Sequence, residues 1–259
     1  MTLRLYTDLA EALAPGVELD LPEAAARHAQ VRRVQPGETL VLFDGRGQDW
    51  PAEVLTMARG ARIRVRTGPA PLPGTGRELS PPLHLAFAMP AGDRMDYLVE
   101  KATELGAASL QPLHSERSVL RLTTERAERK REHWQALAAA ACEQCGRSLV
   151  PKVLPVQEFA DLMAALSGRG TPASHAGTTR WLLSPGADLG LAEALTTPLP
   201  SAGWVLSGPE GGFSPREEAS AIAAGWQPLG LGPRVLRADT APLVALAAWG
   251  LRPRPRPAQ

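Results

Sequence analysis

One stretch rich in proline and glycine, GPAPLPGTGRELSPP at residues 68–82, divides this 259-residue chain into two regions with different apolar periodicities. Its five prolines and three glycines carry no repeating apolar pattern, so it reads as a linker, residues 69–82, rather than as part of a core. Before it lie short runs bounded by turn residues: LRLY, ETLVLFDG ending on Asp44-Gly45, AEVLTMA, and RIRVRT in strict alternation. Alternation sends successive side chains to opposite faces of a strand, which predicts a small β-rich barrel over residues 1–68. After the linker, strand-like apolar runs alternate with helical patterns. That order is the signature of an α/β layer around a largely parallel sheet, here over residues 83–252.

Within the second region, LHLAFAM (83–89) reads as the first strand. Met95, Leu98, Val99, Ala102 and Leu105 follow at helical spacing, with Gly106 placed for a left-handed cap. SLQPL (109–113) is a second strand, Thr123 or Thr124 caps a long helix running to Gly146, and FADLMAAL is another helix. WLLS (181–184) and WVLS (204–207) are short apolar runs stopped by Pro or Gly, as buried strands are. Ser214-Pro215-Arg216-Glu217 combines an N-cap serine, a proline at the first helical position and a capping-box glutamate. The last helix spans Thr240 to Gly250, with Leu243, Val244, Leu246 and Ala247 on its apolar face and Pro242 in its first turn, where a missing N–H costs nothing. The tail LRPRPRPAQ has no apolar face with which to pack.

Composition narrows the function classes. With 44% hydrophobic residues the chain can bury a sizeable core, yet no stretch reaches 18 uninterrupted apolar residues and the N-terminus lacks a signal-peptide run. A cytosolic protein with no membrane partner is expected. Cys142 and Cys145 have the spacing of half a zinc site, but His28, His84, His114, His133 and His175 are scattered singly. Both cysteines also fall on the apolar series Trp134, Leu137, Ala138, Ala141, Cys142, Cys145, so they read as core thiols and no metal is expected. Net charge is only +1, although 25 of the 28 basic residues are arginine, the side chain whose planar fork suits phosphate. Arg117, Arg121, Arg126, Arg129, Lys130, Arg131 and Arg147 cluster, interleaved with Glu116, Glu125, Glu128 and Glu132. The pattern fits an RNA-binding surface or a solvated helix face equally.

Two Gly-rich segments each end a β-run: Ser207 to Phe213 (SGPEGGF) and Gly230 to Arg237 (GLGPRVLR). Glycines let backbone groups approach a ligand closely, and open α/β sheets bind ligands at the carboxyl ends of their strands. Neither segment spells a P-loop or a dinucleotide fingerprint.

At these residues the chain resembles the 16S rRNA uridine N3-methyltransferases, a family within the SPOUT class of knotted methyltransferases. The resemblance is carried in order by FDGRG (43–47), EKATELG (100–106), HSERSV (114–119), AAACEQCGRSLVPKV (139–153), LSGPEGGFSPREE (206–218) and LGLGPRVLRADTA (229–241). It implies a PUA-like RNA-binding barrel, then a domain whose last segments thread a trefoil knot, an arrangement otherwise almost absent from proteins. It also implies S-adenosylmethionine among the knot loops, here Leu183 and Ser184, then Gly208, Pro209, Glu210, Gly211 and Gly212, then Leu231, Gly232, Val235 and Leu236. A homodimer is expected, acting on 16S rRNA or the 30S subunit. The chain departs from the family at Asp239, one methylene shorter than the usual glutamate, and at Pro242, where a helix former is usual.

Methyl transfer to N3 of uracil requires loss of the N3 proton, and the resulting charge spreads onto O2 and O4, where a fixed cation would stabilise it. Arg234 and Arg237 flank the expected cofactor loop and are the candidates for that electrostatic role or for gripping the target phosphate. Glu143 or Asp239 is the candidate proton acceptor. Arg32, Arg33 and Arg46, with Arg117 and Arg147, are the candidates for RNA contact. Two other readings remain open at this point: a ribose 2′-O-methyltransferase on the same fold, and a non-catalytic RNA-binding assembly factor.

Overall fold

The computed structural model describes residues 2–58, 62–74, 76–167, 177–196 and 200–252. His175 and the tail beyond Arg252 lie outside them. Contacts group the chain into two units, Met1–Glu78 with Ala138–Val150, and Leu79–Leu137 with Pro151–Gln259.

The first unit holds β1 (Arg4–Tyr6), β2 (Glu18–Asp20), α1 (Glu23–Val31), β3 (Thr39–Phe43), β4 (Asp49–Ala58) and β5 (Arg62–Thr67). They form one mixed sheet in the order β1-β3-β4-β5-β2, with β1 parallel to β3 and the other pairs antiparallel. The β-rich region expected over residues 1–68 is this five-stranded mixed sheet; among the described residues no pairing joins its outer strands β1 and β2. The four expected runs are β1, β3, β4 and β5. Two elements, β2 and α1, have no counterpart among the expected runs. Helix α1 buries only Ala25, Ala26 and Ala29, so it shows none of the large-residue periodicity by which helices are recognised. Its docking helps enclose a core of Leu5, Leu40, Leu42, Trp50, Val54, Ile63 and Val65.

Helix α1 ends in a Schellman arrangement: Val34 N–H donates to the Ala29 carbonyl at 3.2 Å and Arg33 N–H to that of Gln30 at 2.8 Å. The left-handed position, usually glycine, is held by Arg33 with φ +57°. A side chain there costs roughly 1–2 kcal/mol. Arg33→Gly is therefore expected to raise stability by about 1 kcal/mol, read as a higher urea midpoint. A lower midpoint would show that the arginine side chain contributes more than its backbone costs.

The segment Ala138–Val150 belongs with this sheet because backbone and side chains interlock. Gly47 N–H donates to the Ser148 carbonyl at 3.0 Å and Val150 N–H to that of Gly45 at 3.1 Å. Arg4 donates to Asp49 Oδ1 at 2.8 Å and to the Cys142 and Arg147 carbonyls, while Ser148 Oγ donates to Asp49 Oδ1 at 2.6 Å. Arg147 was expected to contact RNA. It is 2% exposed, its Nε and Nη2 donating to Glu78 Oε2 at 2.9 and 2.6 Å, so its charge is spent on an internal ion pair. Cys142 is fully buried, and its hydrogen bond with Cys145, reinforced by burial, pushes its thiol well above the ordinary range. Such a thiol is not a nucleophile at neutral pH.

The second unit is built on β6 (Leu83–Ala88), β7 (Ser109–His114), β8 (Lys152–Val153), β9 (Gln157–Glu158), β10 (Thr178–Leu183), β11 (Ala202–Ser207) and β12 (Gln227–Leu229). Its helices are α2 (Arg94–Glu104), the N-terminal part of α3 (Thr124–Cys145), α4 (Phe159–Ser167), α5 (Leu191–Ala194), α6 (Pro215–Ala223) and α7 (Thr240–Gly250). The sheet runs β12-β10-β11-β6-β7-β8, with β9 also on β7, and every pairing is parallel. Parallel strands are covered on both faces, which explains why LHLAFA reads as a nearly continuous apolar run.

On one face Leu182, Leu206, Phe159, Phe213 and Trp226 form a buried cluster. Elsewhere Trp249 of α7 packs edge-on against Trp181 at 5.2 Å and donates its indole N–H to the Pro81 carbonyl at 2.8 Å. Each large side chain buried in this way contributes roughly 1.5–3 kcal/mol. The capping box at Ser214 is complete: Ser214 Oγ accepts from Glu217 N–H at 3.2 Å and Glu217 Oε2 accepts from Ser214 N–H at 2.9 Å.

Candidate cofactor and catalytic site

Strands β12, β10 and β11 are neighbours, and the segments leaving their carboxyl ends converge. Ser184 N–H donates to the Leu229 carbonyl at 3.1 Å, Gly230 N–H to that of Leu189 at 2.8 Å, and Leu191 N–H to the Gly230 carbonyl at 2.9 Å. These bonds hold the turn after β10 against the segment after β12. After β11, Gly212 N–H donates to the Pro209 carbonyl at 2.8 Å and closes a tight turn.

Gly208 opens that turn. A Cβ there would lie 3.0 Å from the Phe213 backbone nitrogen and 3.2 Å from its ring, so any larger residue would push the turn outward.

Outside contacts brace the same turn. Glu210 Oε1 accepts from Ala91 N–H at 3.1 Å and from Arg94 at 3.3 Å, and Arg117 donates to the Gly211 carbonyl at 2.9 Å. Glu217, 5% exposed, also accepts Glu116 N–H on Oε1 at 2.9 Å. The segment HSERSV is thus clamped to GPEGGFSPREE. His114 anchors its other end: Nε2 accepts from Leu122 N–H at 3.3 Å, which leaves Nδ1 to donate to Glu158 Oε1 at 3.0 Å.

Enclosed by these segments is a cavity of about 300 Å³, within the range of small-molecule sites. It is lined by all eleven residues expected around a cofactor: Leu183, Ser184, Gly208, Pro209, Glu210, Gly211, Gly212, Leu231, Gly232, Val235 and Leu236. Arg234, expected in an electrostatic role, and Pro185, Ser207, Phe213, Glu218, Leu229, Ala238 and Ala241, which are not among the expected site residues, complete the wall. Ser207, Phe213 and Glu218 sit within or beside a recognisable motif. Ala238 and Ala241 face the cavity only because of how α7 begins.

The wall suits S-adenosylmethionine. Leucines, Phe213 and alanines can cover an adenine ring, glycine backbone can approach closely, and the Glu218 and Arg234 side chains have no hydrogen-bond or ion-pair partner among the described residues, leaving opposite charges for an amino-acid tail.

The expected catalytic residues separate. Arg234 lines the cavity, whereas Arg237 and Asp239 do not, although Ala238 between them does. Arg237 is exposed and Asp239 is half-buried. Glu143, expected near RNA or as a proton acceptor, belongs to the first unit, where Oε1 accepts Tyr6 N–H at 2.6 Å and Oε2 meets His28 Nδ1 at 3.1 Å. Each of its oxygens is thus engaged in holding α3 to β1 and α1. Arg32 and Arg33 are exposed, and Arg46 donates to the Leu9 and Ala10 carbonyls at 3.2 and 3.1 Å.

A cavity at the carboxyl ends of a parallel sheet defines a ligand-binding α/β domain, and comparison with known proteins gives its class. Residues 77–250 match the model of an RNA methyltransferase domain and residues 21–61 that of an RNA methyltransferase PUA domain. The ribosomal RNA small subunit methyltransferase E of Synechocystis sp. is 35% identical over 84% of this chain and 67% of its own length. The crystal structure of a ribosomal RNA small subunit methyltransferase E from Neisseria gonorrhoeae, bound to S-adenosyl methionine, is 35% identical with a TM-score of 0.82 over 96% of both chains. A Legionella pneumophila methyltransferase in complex with bound SAM is 30% identical with a TM-score of 0.82, over 96% of this chain and 97% of its own. The chain belongs to the ribosomal RNA small subunit methyltransferase E family.

Proposed function

We propose that this enzyme methylates N3 of a uridine in 16S rRNA, with S-adenosylmethionine held in the cavity formed by Ser184, the Gly208–Gly212 turn and the Leu231–Leu236 segment. The observation that carries the reading is the convergence of all three segments on one cavity in a member of this family. When bound, the cofactor supplies an electrophilic methyl group on its sulfonium.

The chain's own contribution is alignment and charge. The braced turn after β11 fixes the backbone that meets the cofactor, and Arg234, on the cavity wall, serves the cofactor or the charge developing beside it. Arg237 stabilises O2 or O4 of the deprotonated uracil, or grips the target phosphate. Asp239 accepts the N3 proton; its shorter side chain asks the base to approach more closely than a glutamate would. Glu143 is not assigned this step, because both of its oxygens are engaged. A trefoil knot through the last segments and a homodimer with each site completed near the partner subunit belong to the same proposal, as does a cytoplasmic location, where ribosomal RNA is.

The deciding experiment is mass spectrometry of nucleosides from small-subunit rRNA or 30S particles of a strain lacking this protein, incubated with the purified enzyme and methyl-labelled cofactor. 3-Methyluridine is expected. A 2′-O-methyl nucleoside would give the site to ribose chemistry, and no transfer despite cofactor binding would reject the substrate. Gly208→Ala is expected to weaken cofactor affinity about tenfold in calorimetry, because its Cβ displaces the turn at Phe213. Unchanged affinity would show that this turn does not bear on the cofactor.

A further inference from the structure

The first unit carries a second cleft, of about 710 Å³, lined by residues of β1, the end of α1, the start of β3 and the last turns of α3. None of its residues takes part in the cavity described above.

The chemistry of its wall divides into spent and unspent groups. Arg4 is paired with Asp49 at 2.8 Å, and Glu143 is engaged by Tyr6 N–H and His28. With Nδ1 on Glu143, the half-exposed His28 ring keeps Nε2 uncommitted. Arg32, Gln144 and Glu38 are exposed, and their side chains have no hydrogen bond or ion pair among the described residues. Beneath them Val34 and Leu40 are buried and apolar. A free guanidinium and an imidazole braced by a carboxylate suit a phosphate. A free amide and carboxylate suit the edge of a base, and an apolar floor suits a ring or sugar.

The adjoining Arg33 occupies a left-handed position at a cost in backbone energy, and such strain is characteristic of functional surfaces. Half of the cleft's residues, His28, Arg32, Val34, Glu38, Thr39 and Leu40, fall in the stretch 21–61 that matches the RNA methyltransferase PUA domain.

We propose that this cleft binds an unpaired nucleotide of the RNA substrate, with its phosphate on Arg32 and His28 and its base edge on Gln144 and Glu38. The proposal rests on the reading that the chain acts on RNA. A concave site of this kind takes a splayed single-stranded nucleotide, whereas a duplex keeps its bases stacked out of reach.

The test is fluorescence anisotropy with a short single-stranded oligouridine and with the same oligomer paired into a duplex, on the full chain. Arg32→Ala is expected to weaken single-strand binding about tenfold and to reduce the slope of log affinity against log salt by about one. Gln144→Ala should cost less affinity but reduce the preference among oligouridine, oligocytidine and oligoadenine, because base contacts carry sequence information and phosphate contacts do not. Arg27→Ala, on α1 but outside the cleft, should stay within about twofold of the parent. Cofactor affinity, measured separately, should not move in any variant.

An Arg32→Ala variant within twofold of the parent, an equal loss in Arg27→Ala, a duplex bound as tightly as the single strand, or no binding of the single strand would each overturn the proposal. Binding is read without methyl transfer, so absence of 3-methyluridine would reject the proposed reaction and leave this result standing.

Discussion

Arg237→Ala is expected to lower rRNA methylation about a hundredfold or more while leaving S-adenosylmethionine affinity within about twofold. The separation follows from where the residue stands. Arg237 is exposed and absent from the cavity wall, whereas Arg234, three residues earlier, lines it. The contact that Arg237 makes with α7 is through its carbonyl, which accepts from Thr240 and Ala241 N–H at 3.0 Å each, so truncating the side chain leaves the helix start intact. On the proposed reading, what is then lost is a charge acting on the RNA or on developing negative charge. Single-turnover methylation at saturating RNA, beside cofactor calorimetry, reads the two effects independently. Equal loss of both would place Arg237 on the cofactor instead. Arg234→Ala, on the cavity wall, should lower both.

Glu217→Ala is expected to destabilise the protein by about 2–4 kcal/mol. This carboxylate closes the capping box on Ser214 N–H and accepts Glu116 N–H at 2.9 Å, joining the HSERSV segment to the start of α6. Removing it leaves the buried Ser214 N–H and the partly buried Glu116 N–H without partners, and an unsatisfied buried donor costs more than an average hydrogen bond contributes. Chemical denaturation gives the magnitude. Glu217→Gln, which keeps one acceptor oxygen and presents an amide N–H to the other donor, should fall between the two. An alanine variant within about half a kcal/mol of the parent would mean that water replaces both bonds.

Glu217 also shows how far local pattern reaches. Its capping role was legible, because Ser-Pro-Arg-Glu places the acceptor three residues from the cap. Its bond to Glu116 was not, because a contact across 101 residues leaves no local spacing. Helix α7 was legible in its extent, Thr240–Gly250, but not in its buried face: Pro242, Ala245, Leu246 and Trp249 are buried, and of the expected Leu243, Val244, Leu246 and Ala247 only Leu246 is. Helix α1 was not legible, because alanines give a small face with little apolar contrast.

Arg147 and Glu143 mark a different limit. Both are polar residues in or just after an amphipathic helix, a pattern that ordinarily means solvent or ligand. Each is instead consumed by a partner distant in sequence, Glu78 for one, Tyr6 and His28 for the other. Charge on a helix face says that a side chain wants a partner without saying whether the partner is water, RNA or the protein itself.

The sequence alone determined the α/β class, the long helices and their caps, and the glycine-bearing segments that follow strands, since each depends on residues a few positions apart whose side chains or φ angles set local geometry. Tertiary structure alone decided that β12, β10 and β11 lie side by side, so that Leu183, Gly208 and Leu231 meet around one cavity. It also decided which charges remain free and which are spent. Strand order and ion pairing are settled by contacts between distant segments competing for burial and for hydrogen-bond partners, and that competition is resolved only when the whole chain packs.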